Sequence, residues 1–118
     1  MPYTRNKNKY NARRNSLSGK KFDSTAETRR FSELSRLVRV GKISELRRQV
    51  SYELIPAQYD GDGKLLERAV SYKADFTYER DGALIVEDVK GARTKDFIIK
   101  RKLMLYVHGI RVQEVREE

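Results

Sequence analysis

Tyr72-Lys73-Ala74-Asp75-Phe76-Thr77-Tyr78-Glu79-Arg80-Asp81-Gly82-Ala83-Leu84-Ile85-Val86-Glu87-Asp88-Val89-Lys90-Gly91 carries the residue pattern of a β-hairpin. Aromatic and β-branched residues flank Asp81-Gly82, a pair suited to the positive φ angles of a two-residue type I′ turn. With those two at the centre, Arg80 faces Ala83, and continuing the register outward sets Asp75 opposite Asp88. Strand side chains alternate, so Asp88 and Lys90 share the face that carries Asp75, while Glu87 takes the other face.

Two carboxylates opposed across a ladder repel, so the arrangement needs a compensating cation. Lys90 supplies one, and the gap suits a hard divalent ion. Magnesium is commonly held by one or two carboxylates, with water and substrate phosphate completing its shell. Such an ion lowers the pKa of a bound water and polarises a phosphoryl oxygen, which are the needs of phosphodiester hydrolysis. The competing explanation is a structural ion pair between Asp75 and Lys90.

Upstream, Ser24-Thr25-Ala26-Glu27 has the spacing of a capping box, and Ala26, Arg30, Phe31, Leu34, Leu37 and Val38 follow at helical intervals up to Gly41, a C-cap. Gln49 to Leu54 alternate as a strand ended by Pro56, and Asp60-Gly61-Asp62-Gly63 is a turn. Gln49 is a candidate to meet the acidic patch from a neighbouring strand. Downstream, Thr94 is an N-cap for an amphipathic helix reaching about Tyr106, and Gly109 closes it. Ile110, Val112 and Val115 suggest a last strand. The predicted order is α-β-β-β-α-β, an α/β (α+β) domain spanning residues 22–118.

Asp75, a hairpin and Asp88-Val89-Lys90 resemble the D…(D/E)-x-K signature of the PD-(D/E)XK nuclease superfamily. Phe22-Asp23-Ser24 with Glu27, Ala74-Asp75-Phe76, Val86 to Gly91 and Lys100-x-Lys102-Leu103 resemble a small phage and prophage family within it, of the Holliday-junction-resolvase-like type. The resemblance implies a restriction-endonuclease-like core, a mixed sheet flanked by helices. It implies Mg2+ or Mn2+ held by Asp75, Asp88 and the Val89 carbonyl, with Lys90 orienting water and steadying negative charge. It maps a further metal-binding glutamate onto Glu27, whose other role is that of the capping-box residue. Ala74 replaces the nominal proline, and Asp88 the commoner glutamate.

Charge gives an independent indication. The chain of 118 residues has a formal charge of +9. Arg5, Lys7, Lys9, Arg13, Arg14, Lys20 and Lys21 put +7 into residues 1–21, which contain no acid. That arm has too few apolar residues to offset the entropy of ordering it, so it is expected to be disordered. A cationic arm attracts a polyanion through counterion release, which makes DNA the first partner to consider. Arg93, Lys95, Lys100 and Lys102 are further candidates for phosphate contacts.

Other chemistries lack their residues. There is no cysteine, His108 is the only histidine, and no phosphate-cradling G-x-x-x-x-G-K-[ST] is present, so no nucleotide cofactor is expected. Asp60-x-Asp62 lacks the distal ligands of a calcium loop. Apolar runs such as Ala83 to Val86 are too short for a membrane span, which points to a cytoplasmic location in a bacterial host. The sequence therefore predicts a metal-dependent endodeoxyribonuclease acting on branched or recombination-intermediate DNA, as a homodimer matched to junction symmetry. A non-cleaving nucleic-acid-binding module is the alternative, and an RNA ligand a further one.

Overall fold

The computed structural model describes residues 15–17, 20–22, 25–90 and 93–116, with side chains at all of these except 15–17, 20–22 and 90. Two short strands, β1 (Asn15–Leu17) and β2 (Lys20–Phe22), pair antiparallel. Residues 15–17, 20 and 21 belong to the basic arm, and Phe22 to the domain that follows it. Arg5, Lys7, Lys9, Arg13 and Arg14 lie outside the described residues, as do the side chains of Lys20 and Lys21.

Helix α1 (Thr25–Arg39) ends where its sequence provides a left-handed glycine. Gly41 has φ 79°, its N–H donates to Val38 O at 3.0 Å, and Lys42 N–H donates to Leu37 O at 2.9 Å. This pair of bonds is a Schellman cap, satisfying carbonyls the helix leaves open. The predicted capping residue Ser24 lies outside the described residues.

Strand β3 (Ser44–Ile55) is longer than the predicted Gln49–Leu54 because its basic N-terminal half also pairs in the sheet. A small hairpin follows, β4 (Gln58–Tyr59) and β5 (Leu65–Glu67), which alternation alone did not reveal. Asp60 Oδ1 accepts the N–H groups of Asp62 at 2.8 Å and Lys64 at 2.9 Å, so this carboxylate serves its own turn. Then come β6 (Val70–Arg80), β7 (Ala83–Lys90), helix α2 (Lys95–His108) and β8 (Gln113–Arg116). Thr94 caps α2 as predicted, its Oγ1 accepting Phe97 N–H at 3.0 Å, and Gly109 closes it at φ 69°.

A four-stranded sheet has the order β3-β6-β7-β8, antiparallel except for the parallel pair β7–β8 bridged by α2. The main elements thus run α-β-β-β-α-β, a mixed sheet flanked by two helices. Asp81 and Gly82 both have positive φ, 52° and 79°, and the ladder runs from Arg80↔Ala83 to Phe76↔Glu87 in the predicted register.

Consecutive β7 residues show which helix covers which face. Ile85 packs with Phe76, Tyr78, Leu34 and Phe31 beneath α1, whereas Val86 packs with Tyr72, Leu54, Phe97 and Met104 beneath α2. Among the described residues no helix is long and apolar enough to cross a membrane. His108, at the end of α2, donates through Nε2 to Glu53 O at 2.7 Å and meets the Tyr52 ring edge-on.

On the α1 side, Glu87 is buried and gripped by Arg30, with Nε to Oε1 at 2.9 Å and Nη2 to Oε2 at 2.6 Å. Tyr78 also donates its hydroxyl to Glu87 Oε2. The hydrogen bonds to Glu87 hold the Arg30 guanidinium above its usual range, and burial followed by the Glu87 contact pushes the Tyr78 phenol up to about 12. Removing one partner of such a pair leaves a buried charge uncompensated. Arg30→Ala should therefore lower unfolding free energy in urea by about 3 kcal/mol, and a change below about 1 kcal/mol would show that the pair does not pin α1 to the sheet. Because the folded Tyr78 phenol titrates above the ordinary value of about 10, its contribution is complete below that pH and is lost as pH rises toward about 12. Alkaline thermal melts should show this fall in Tm, with a shallower slope in Tyr78→Phe.

Candidate functional site

Asp75 and Asp88 sit where the β6–β7 ladder gives way. Beyond Phe76↔Glu87, the Asp75 carboxylate takes the place of a backbone acceptor, with Oδ2 receiving Val89 N–H at 2.8 Å. Both aspartates line a cavity of about 320 Å³ beneath the N-terminal part of α2, together with Gln49, Tyr72, Lys73, Thr94, Asp96, Phe97 and Lys100. Strand period thus brings Asp75 and Asp88 to one site and sends Glu87 to the opposite face, as the sequence predicted.

Strict alternation would separate Tyr72 from Asp75, three residues along the same strand, yet both line this cavity. A distortion in the neighbouring strand accompanies the slip. Gln49 has φ 55°, between the regular pairs Arg48↔Phe76 and Val50↔Ala74. A left-handed glutamine inside a strand is strained by roughly 1–3 kcal/mol, and such strain concentrates at functional sites.

Asp88 is 3 % exposed, and Tyr72 donates its hydroxyl to Asp88 Oδ1 at 2.8 Å. Burial, then the charge and hydrogen bond of Asp88, and then the charges of Asp75 and Glu114 push the Tyr72 phenol well above its ordinary range. The phenol therefore stays a donor at neutral pH and orients the carboxylate. The sequence places Tyr72 only on the strand, because alternation gives no hint of the slip.

Glu27 is also buried, at 3 % exposure in the first turn of α1, and its Oε2 accepts Gln49 Nε2 at 2.7 Å. It does not line the cavity with Asp75 and Asp88; Gln49 touches both places. Among the described residues no three acidic, His or Cys side chains form a group arranged to hold a metal. What the cavity does offer is a pair of hard oxygen donors, Asp75 and Asp88, beside the Val89 backbone. Extended backbone turns the N–H and C=O of one residue toward the same neighbouring strand, so the Val89 carbonyl opens toward β6 as its N–H does. Lys90 ends β7 with Arg116 as its Cα partner, two positions beyond Asp88, and its side chain is not among those described.

The predicted basic residues disperse around this centre. Lys100 lines the cavity, Lys95 is exposed, and Lys102 faces a second recess. Arg93 Nε donates to Glu114 Oε1 at 2.7 Å, and Arg101 Nη1 donates to Glu114 Oε2 at 3.1 Å. Burial acts to raise the Glu114 carboxyl, but the hydrogen bonds from Arg101 and Arg93 outweigh it and hold the carboxyl low. Nothing local marks Glu114 in the sequence; it is the parallel-strand partner of Asp88.

Residues 7–116 match a family model described as "Protein of unknown function (DUF1064)", and the chain belongs to that family. No curated protein and no solved structure matches the chain.

Gln49 is open to a direct test of its two features. Gln49→Ala removes a donor to a buried carboxylate and keeps the strain, and should cost roughly 1–3 kcal/mol in chemical unfolding. Gln49→Gly loses the same bond but suits φ 55°, so it should be the more stable of the two by up to about 1 kcal/mol. A glycine variant less stable than the alanine variant would contradict the strained geometry.

Proposed function

We propose that this protein is a divalent-metal-dependent endodeoxyribonuclease whose centre is the cavity containing Asp75 and Asp88. The observation that carries the reading is the convergence of these two carboxylates from adjacent strands onto one cavity, while Glu87 is neutralised on the other face. An oxygen-only donor set of two carboxylates and a backbone carbonyl fits a hard ion such as Mg2+ or Mn2+. Asp75, Asp88 and the Val89 carbonyl are the groups that would hold it. Bound there, the ion supplies Lewis-acid polarisation of a phosphoryl oxygen and a more acidic water.

The chain's own residues have distinct tasks in this reading. Tyr72 fixes the rotamer of Asp88, and the Val89 N–H fixes that of Asp75. Lys90, two positions along β7 from Asp88, is assigned by the family resemblance the role of steadying negative charge, as water adds to phosphorus, a P–O ester bond breaks and the leaving oxygen takes up a proton. Lys100 in the cavity wall attracts the diester. Glu27 acts from the side, through Gln49, either as a further ligand drawn in with metal or as a structural carboxylate.

DNA, with branched or recombination-intermediate structures foremost, is the proposed substrate. The basic arm supports a polyanionic ligand, and the resemblance to phage resolvase-like nucleases supports the branched class. A homodimer in the cytoplasm of a bacterial host belongs to the same reading. A non-cleaving DNA- or RNA-binding module is the second reading, because the basic residues would attract either polymer without any metal.

Incubation of supercoiled plasmid and a synthetic four-way junction with Mg2+ or Mn2+ separates the two. Cleavage should appear and fall by more than about a hundredfold in Asp75→Ala and Asp88→Ala. Tyr72→Phe, which spares both carboxylates, should raise the metal concentration needed for half-maximal cleavage by about 10–100-fold. Metal-independent binding without cleavage would replace the nuclease with the binding module.

A further inference from the structure

We propose that the recess beside the acidic cavity, walled by Arg93, Arg101, Lys102, Arg111 and Glu114, is a separate phosphodiester-binding subsite. In this role it seats backbone phosphates of the nucleic acid that the proposed function assigns to the cavity, and it rests on that reading for the identity of its ligand. The recess has a volume of about 620 Å³, against about 320 Å³ for the cavity with the aspartates. Sequence alone does not bring these residues together, since Arg93 precedes α2, Arg101 and Lys102 lie within it, and Arg111 and Glu114 follow it.

Charge gives the recess its ligand class. Four cations surround one carboxylate, and that carboxylate is engaged by two of them. Glu114 takes Nε of Arg93 and Nη1 of Arg101. A guanidinium has five N–H donors in a fixed plane, so each arginine retains donors for a second anion. Glu114 therefore orients the two forks without consuming them, and a preorganised fork loses less entropy when a phosphate arrives. Lys102 and Arg111 make no ion pair among the described residues.

Continuity with the acidic cavity favours a nucleic acid over another polyanion. Lys100 lines the cavity, and the next two residues of α2, Arg101 and Lys102, line the recess. On the sheet side Glu114 is the Cα partner of Asp88, so the two walls are one strand spacing apart, about 4.8 Å. A strand whose scissile phosphate reaches Asp75 and Asp88 has its neighbouring phosphates within reach of this basic wall.

The test is fluorescence anisotropy of a labelled four-way junction over a salt series, in Ca2+ to suppress cleavage, with the full chain so that the arm contributes equally throughout. Lys102→Glu/Arg111→Glu is compared with Arg39→Glu/Lys42→Glu, which makes the same charge change at the opposite end of β7, where Lys42 lies near the Asp81-Gly82 turn. All four substituted side chains are exposed. The recess variant should bind roughly tenfold or more weakly than the control, with a salt slope shallower by about 2. Equal affinities and slopes for the two variants, or displacement of the junction by polyglutamate at matched charge, would overturn the subsite. Binding that responds this way without any cleavage in Mg2+ would refute the nuclease and leave the subsite standing, whereas cleavage with equal variants would do the reverse. A wild-type chain that binds no nucleic acid would end both.

Discussion

The two-residue period of a strand sends Glu87 and Asp88, adjacent in the chain, to opposite faces of the sheet, and burial requires that each be compensated separately. On the α1 side the compensation is complete and rigid: a bidentate guanidinium and a phenol close around Glu87. On the α2 side it takes another form. Asp88 meets one phenol and shares its cavity with a second carboxylate, which holds the neighbouring backbone. The same strand thus carries a structural acid and a candidate reactive one, and the surroundings set the difference between them.

That division explains why the two helices are unequal partners. Helix α1 is anchored to the middle of the sheet through Arg30, whose guanidinium grips the Glu87 carboxylate bidentately. Helix α2 covers the sheet through Phe97 and Met104 but leaves its N-terminal end over the acidic cavity. Its basic residues 100–102 pass from that cavity into the neighbouring recess, where Glu114 holds two arginines in place. Helix α2 is therefore both a packing element and a bridge between two polar sites.

Much of this architecture is legible in the residue order, and the reasons are local. Asp81-Gly82 fixes the turn type, the turn type fixes the register, and the register pairs Phe76 with Glu87 and leaves Asp75 and Asp88 at the next position. Gly41, Thr94 and Gly109 mark helix ends because each satisfies backbone groups that the helix leaves open. What the sequence concealed depends on irregular backbone or on distant pairing. The left-handed Gln49, the slip that brings Tyr72 to the side of Asp75, and the alignment of Glu114 with Asp88 leave no periodic trace. The β1–β2 pairing within the basic arm was hidden by composition, which measures burial potential and misses short hairpins.

Glu27 shows how far a motif can be carried. The resemblance maps it to a metal ligand; the structure gives it a buried position and a bond to Gln49, one step from the cavity. For the proposed nuclease, Asp75 and Asp88 must share an ion. Paramagnetic broadening of backbone amide signals by substoichiometric Mn2+ measures this without requiring catalysis. The expected result is selective loss of the Asp88 and Val89 signals in the native chain, with those signals retained in Asp75→Asn/Asp88→Asn. Broadening that ignores this double substitution, or that centres on another part of the molecule, would contradict it.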